Sequence, residues 1–124
     1  GLRRDTDVIS YYTRHCEGKR AALAKTQELL LAAALAGDKS AAALYERAAA
    51  HLCEMAAAVC RQLCLQGPVH ISYSGGVFQA RDFLLQPFIR QVRQAIPDCV
   101  VTPPLYKPEE GAVLAAARLL EKEV

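Results

Sequence analysis

The residues of this chain best suited to chemistry are Ser74-Gly75-Gly76-Val77-Phe78, which follow the alternating stretch Val69–Ser74. Two residues without a Cβ let the backbone turn sharply and let a ligand approach the main chain closely. In an open α/β sheet, ligands sit beyond the carboxyl ends of strands, where such turns lie. Read on its own, the glycine pair is equally the punctuation of a tight strand-to-helix turn that binds nothing.

The cysteines and histidines offer less. His15 and Cys16 are adjacent, so on a helix they cannot face one point together. Cys53, Cys60 and Cys64 share one helical face at i, i+7 and i+11. Zinc ligands, however, come as close pairs, and these thiols climb over several turns. Because cysteine is among the most buried residue types, they read as small core residues. His51 reads as a surface partner of Glu54 or Arg47. No metal ligand is assigned.

The elements that must position the glycine turn follow from periodicity. Val69, Ile71 and Tyr73 alternate with His70, Ser72 and Ser74, which predicts a strand over 69–74. A helix follows, with Phe83, Leu84, Phe88, Val92 and Ile96 as its apolar stripe. Pro87 inside that stripe either occupies the first turn or kinks the helix. Cys99-Val100-Val101-Thr102 is a second strand, stopped by Pro103-Pro104. A helix joining two such strands makes a βαβ unit with parallel pairing and an expected right-handed crossover. Lys107–Gly111 reads as a loop. The last helix begins at Ala112, with Val113, Ala116, Ala117 and Leu120 expected to face inward.

Upstream the chain reads as helical. Residues 1–16 could open a short helix capped by Thr6 or Asp7, or hide a further strand. Residues 17–36 carry Leu23, Gln27, Leu30 and Ala34 on one stripe, with Gly37 as the stop. Asp38 caps the next helix, 40–65, whose buried face is expected to be Leu52, Met55, Val59 and Leu63. Two strands rarely make an independent sheet, which leaves edges unpaired.

With 124 residues, 52% hydrophobic and 23% charged, the chain is one globular domain's worth. Its net charge of +2 comes without a basic run, so nucleic acid is not an expected partner. The apolar run Leu29–Ala36 is too short to span a bilayer, and no membrane partner is expected. Five cysteines, an odd number not set in loops, point to a reducing cytoplasm rather than a secreted disulfide framework. The sequence opens at Gly1 rather than Met, the expected start of a fragment.

Ser74-Gly75-Gly76-Val77-Phe78 after an apolar strand resembles the adenosine motif of the actin, hexokinase and Hsp70-like ATPases. Gly111-Ala112-Val113-Leu114-Ala115 resembles the closing Gly-Ala segment of that family. Ala36-Gly37-Asp38-Lys39-Ser40-Ala41 is similar to a stretch in the BadF/BadG/BcrA/BcrD-type branch, which includes N-acetylglucosamine kinase. The resemblance covers about residues 25–120. It implies a C-terminal, ribonuclease-H-like α/β lobe spanning 1–124, with 1–66 mostly helical and 67–124 β-α-β-α carrying the adenosine motif.

The resemblance further implies the nucleotide-binding half of an ATP-dependent sugar or amino-sugar kinase, with ATP and Mg²⁺ as cofactors. Ser74, Gly75, Gly76, Val77, Phe78, Gln79, Gly111 and Ala112 are the implied adenosine-binding residues, and Arg81 can also reach a polar group. The family's phosphate loop, an Asp-Gly-Gly in the N-terminal lobe, does not occur here. No catalytic residue is therefore assigned, the fragment alone is expected to be inactive, and Mg²⁺ would be held mainly by the other lobe. Apolar surface meant for that lobe makes self-association, a homo-oligomer, the expectation. Two other readings stand beside this one. One is an ATPase activator of a 2-hydroxyacyl-CoA dehydratase-type enzyme, with an iron–sulfur cluster held by loop cysteines. The other is a non-catalytic helical interaction module.

Overall fold

Local hydrogen bonding sets several helix ends among the described residues. The computed structural model describes residues 5–122. Its elements are α1 (Asp5–His15), α2 (Arg20–Leu35), α3 (Lys39–Gln62), β1 (Val69–Ser72), a 3-10 turn (Gly76–Ala80), α4 (Arg81–Ala95), β2 (Cys99–Thr102) and α5 (Pro108–Lys122). This is a helix-rich α/β arrangement with one small parallel sheet among the described residues. No helix of the described residues is long and apolar enough to cross a membrane. The chain divides into two compact units, one ending at Tyr45 and one beginning at Glu46.

In the first unit, α1 starts at Asp5, so Thr6 and Asp7 lie inside the helix rather than capping it. Residues 5–15 are helical, so the further strand considered for this region is not among them. The end of α2 is a paired cap: Gly37 N donates to Ala34 O and Asp38 N to Ala33 O, both at 3.0 Å. That pattern needs a left-handed residue, and Gly37 supplies it with φ +87°. Asp38 then caps α3, its Oδ1 accepting from Ser40 N at 2.7 Å and Ala41 N at 3.0 Å. Among the described residues of this unit, Cys16, Ala34, Ala41 and Tyr45 are buried. Of the expected α2 stripe, Ala34 is buried, Gln27 and Leu30 are half-buried, and Leu23 is exposed.

Along α3 the buried stripe is Ala41, Tyr45, Ala49, Cys53 and Ala57, a strict i+4 ladder. This overturns the expected face: Leu52 is half-buried, while Met55, Val59 and Leu63 are exposed. The face is set by which side is covered rather than by residue size: four of the five buried residues are Ala or Cys, while the larger apolar side chains lie on the uncovered side. Beyond Gln62, Cys64 N donates to Arg61 O at 3.2 Å and Leu65 N to Cys60 O at 3.1 Å. This repeats the cap of α2, but here Cys64 takes the left-handed position, with φ +48°. Cys53 is accordingly core, Cys60 half-buried, and Cys64 exposed.

In the second unit β1 and β2 pair in parallel, with Val69 opposite Cys99 and Ile71 opposite Val101. These four residues share the covered face; His70, Ser72, Val100 and Thr102 share an exposed one. The sheet is thus covered on one side, not both, and β1 stops at Ser72, two residues earlier than its alternation suggested. Helix α4 contributes the centre of the core through Leu84, Pro87, Phe88 and Val92, with Phe83 and Ile96 half-buried. Pro87 sits in its second turn, neither at the start nor at the end. Arg90 Nη2 ties α4 to α3, donating to both carboxylate oxygens of Glu46 at 2.9 Å. His51 Nδ1 lies 3.5 Å from Glu54 Oε2, the surface pairing expected of it.

Helix α5 starts four residues earlier than periodicity suggested. Pro108 opens it, and Glu110 Oε2 reaches back to accept from Lys107 N at 2.9 Å, half of a capping box. Gly111 therefore lies within the first turns. The expected inward face is not inward: Val113 is 68% and Leu120 66% exposed, and Ala116 and Ala117 are exposed as well.

Candidate functional site

Because the two strands are parallel, their carboxyl ends emerge side by side. An open cavity of about 610 Å³ lies there, lined by Tyr73, Ser74, Gly75, Phe78, Gln79, Arg81, Leu85, Pro103 and Pro104. One wall is the segment after β1; the other is Pro103-Pro104, directly after β2. Its size falls in the range of small-molecule sites.

The turn is built on Gly75, not on the glycine pair as a unit. Gly75 has φ +111° and ψ 160°, a region only glycine enters readily. A Cβ built there would meet nothing within 4 Å, so the constraint is conformational and the space in front of the backbone is open. Gly76 opens the 3-10 turn, which separates β1 from α4 where a direct entry into helix was expected. Within that turn Phe78 N donates to Gly75 O at 3.2 Å, so this N–H is already engaged.

Aromatic contacts fix the wall. The Tyr73 and Phe78 rings lie 5.1 Å apart at 41°, and Phe78 meets Phe88 edge-on at 6.2 Å. Phe88 is 4% exposed, so the ring stack is anchored in the core of α4 and ends half-buried at the cavity. Ala80 and Leu84, both buried, pin the chain on either side of Arg81. Arg81 is the single charged residue in the lining.

Ser74, Gly75, Phe78, Gln79 and Arg81 are thus brought together. Gly76 and Val77 belong to the same turn without lining the cavity, and Val77 is 37% exposed. Gly111 and Ala112, on α5, do not line it. Tyr73, Leu85, Pro103 and Pro104 line it without having been singled out. The signal for the prolines was present: a residue just after a parallel strand stands beside the turn after its neighbour.

Among the described residues no carboxylate lines the cavity, so its lining offers Mg²⁺ no ligand of the usual kind. Among the described residues no three His, Cys, Asp or Glu side chains are grouped to hold a metal ion. Compared with known proteins, the chain matches no family model, no curated protein and no solved structure.

Proposed function

We propose that this chain is the adenosine-binding part of an ATP-dependent sugar or amino-sugar kinase, a ribonuclease-H-like lobe of the BadF/BadG/BcrA/BcrD type. The observation that carries the reading is the cavity at the paired strand ends, with Gly75 in a glycine-only conformation and Ser74, Phe78 and Gln79 around it. A flat base fits against Tyr73 and Phe78, where no side chain stands before the Gly75 backbone. In this reading Mg²⁺ and the catalytic acid belong to the other lobe, and the chain alone is inactive. The exposed apolar residues of α3, the turn after it and α5, Met55, Leu63, Val113 and Leu120, support self-association or cover by that lobe. A cytoplasmic setting remains part of the same reading.

The test is titration of the chain with ATP, followed by calorimetry and thermal unfolding. Binding to the folded state raises Tm with ligand concentration, by about 2.7 kcal/mol of stability at a hundredfold excess over Kd. No heat and no change in Tm would remove the nucleotide reading and favour a non-catalytic interaction module.

A further inference from the structure

We propose that Arg81 makes the cavity selective for the anionic form of its ligand, a nucleoside phosphate over the free nucleoside. This rests on the nucleotide reading above and adds to it a residue that reads charge. Three observations converge on Arg81. It is the single charged side chain in the lining, and no acid faces it across the cavity. Its backbone N–H donates to Phe78 O, but its guanidinium makes no hydrogen bond or ion pair among the described residues, so the side-chain donors are uncommitted. Its position is nevertheless fixed, because its backbone lies between buried Ala80 and buried Leu84 at the start of α4.

The rest of the lining explains the division of labour. Tyr73, Phe78, Leu85, Pro103 and Pro104 offer flat or apolar surface, suited to a ring and indifferent to charge. Ser74 and Gln79 offer neutral polar groups. A guanidinium presents a planar set of donors that matches phosphate oxygens, and the first turn of α4 adds partial positive charge at the same place. Asp82 is the acid in that turn and partly offsets the helix charge, but it does not line the cavity. Charge preference at this site therefore falls to Arg81.

The experiment compares adenosine with adenosine 5′-monophosphate, neither of which needs Mg²⁺, in calorimetric titrations of the whole chain. The monophosphate should bind about tenfold more tightly at low salt, the scale of a hydrogen bond to a charged group. That gap should shrink at high salt, because the cavity is open to solvent. Arg81→Gln should close the gap between the monophosphate and adenosine, whatever it does to the affinity they share; Arg81→Lys should keep part of the gap. In the unaltered chain, the Arg81 side-chain N–H resonance, assigned by its loss in Arg81→Lys, should shift with the monophosphate and not with adenosine. This reading stands independently of how well Arg81→Gln folds. Equal affinity for the two ligands, a gap that survives in folded Arg81→Gln, or an unmoved Arg81 resonance would overturn the role of Arg81 and leave the nucleotide site intact. If neither ligand binds, the nucleotide reading itself falls, and this inference with it.

Discussion

Tyr73 and Phe78 stand with ring centroids 5.1 Å apart across the turn that contains Gly75. The pair closes the loop between β1 and the 3-10 turn and passes the contact on to Phe88 in the core. Phe78→Ala removes the middle ring of the three. For a half-buried aromatic, the expected loss is about 2 kcal/mol, below that of a fully buried one. Urea unfolding of the variant measures it. A loss below about 0.5 kcal/mol would mean that the stack contributes no more than an ordinary surface residue.

The two glycines of the turn should behave differently. Gly75→Ala forces a Cβ into φ +111°, which costs about 1–3 kcal/mol. Gly76→Ala, at a position whose φ is not positive, should cost less. Thermal unfolding of both variants distinguishes them, and nucleotide titration should show affinity falling mainly at Gly75. Equal effects at both positions would contradict the assignment of the turn to Gly75.

Cys64 holds the left-handed position that ends α3, at φ +48°. A glycine would adopt that backbone without the steric cost borne by a side chain. Cys64→Gly is expected to raise stability by about 0.5–1 kcal/mol, since the thiol is exposed and loses little packing. A destabilised Cys64→Gly variant in denaturant unfolding would sink the cap assignment.

The faces of α3 make opposite predictions. Ala49 is fully buried, so Ala49→Leu overpacks the ladder and should cost about 1–3 kcal/mol. Met55 is 64% exposed, and Met55→Ala should change stability by less than about 0.5 kcal/mol in the monomeric chain. The reverse order of effects would restore the larger residues to the core.

Alkaline pH should weaken the fold through Cys53. Burial pushes its thiol up first, with the Glu54 carboxylate and Cys99 adding to it. A pKa raised in the folded state means the folded chain holds that proton more tightly. The resulting stability is complete below the unfolded thiol's pKa, near about 8.5, and is lost as pH rises through the folded value. Tyr45, raised by burial, acts in the same direction at higher pH. Cys53→Ala should flatten the first part of this decline in pH-dependent unfolding. An unchanged slope would assign the loss elsewhere.

Several features of this protein were determined by neighbouring residues and so were legible in the sequence. Gly37 and Asp38 end one helix and start the next through bonds that span no more than five residues. The stripe of α4 and the parallel pairing of two short strands around a helix follow from periodicity and chain connectivity. Tertiary structure alone decided which surfaces are covered. Periodicity marks a helical face, but whether Ala49 or Met55 lies inward depends on how closely another element approaches. For the same reason α5 has an apolar stripe that is exposed, and β2 an apolar run with Val100 exposed. The cavity lies between these two kinds of information. Its glycine was visible in the sequence. Its opposite wall, Pro103-Pro104, exists only because parallel pairing brings residues 73–75 and 103–104 to the same end of the sheet.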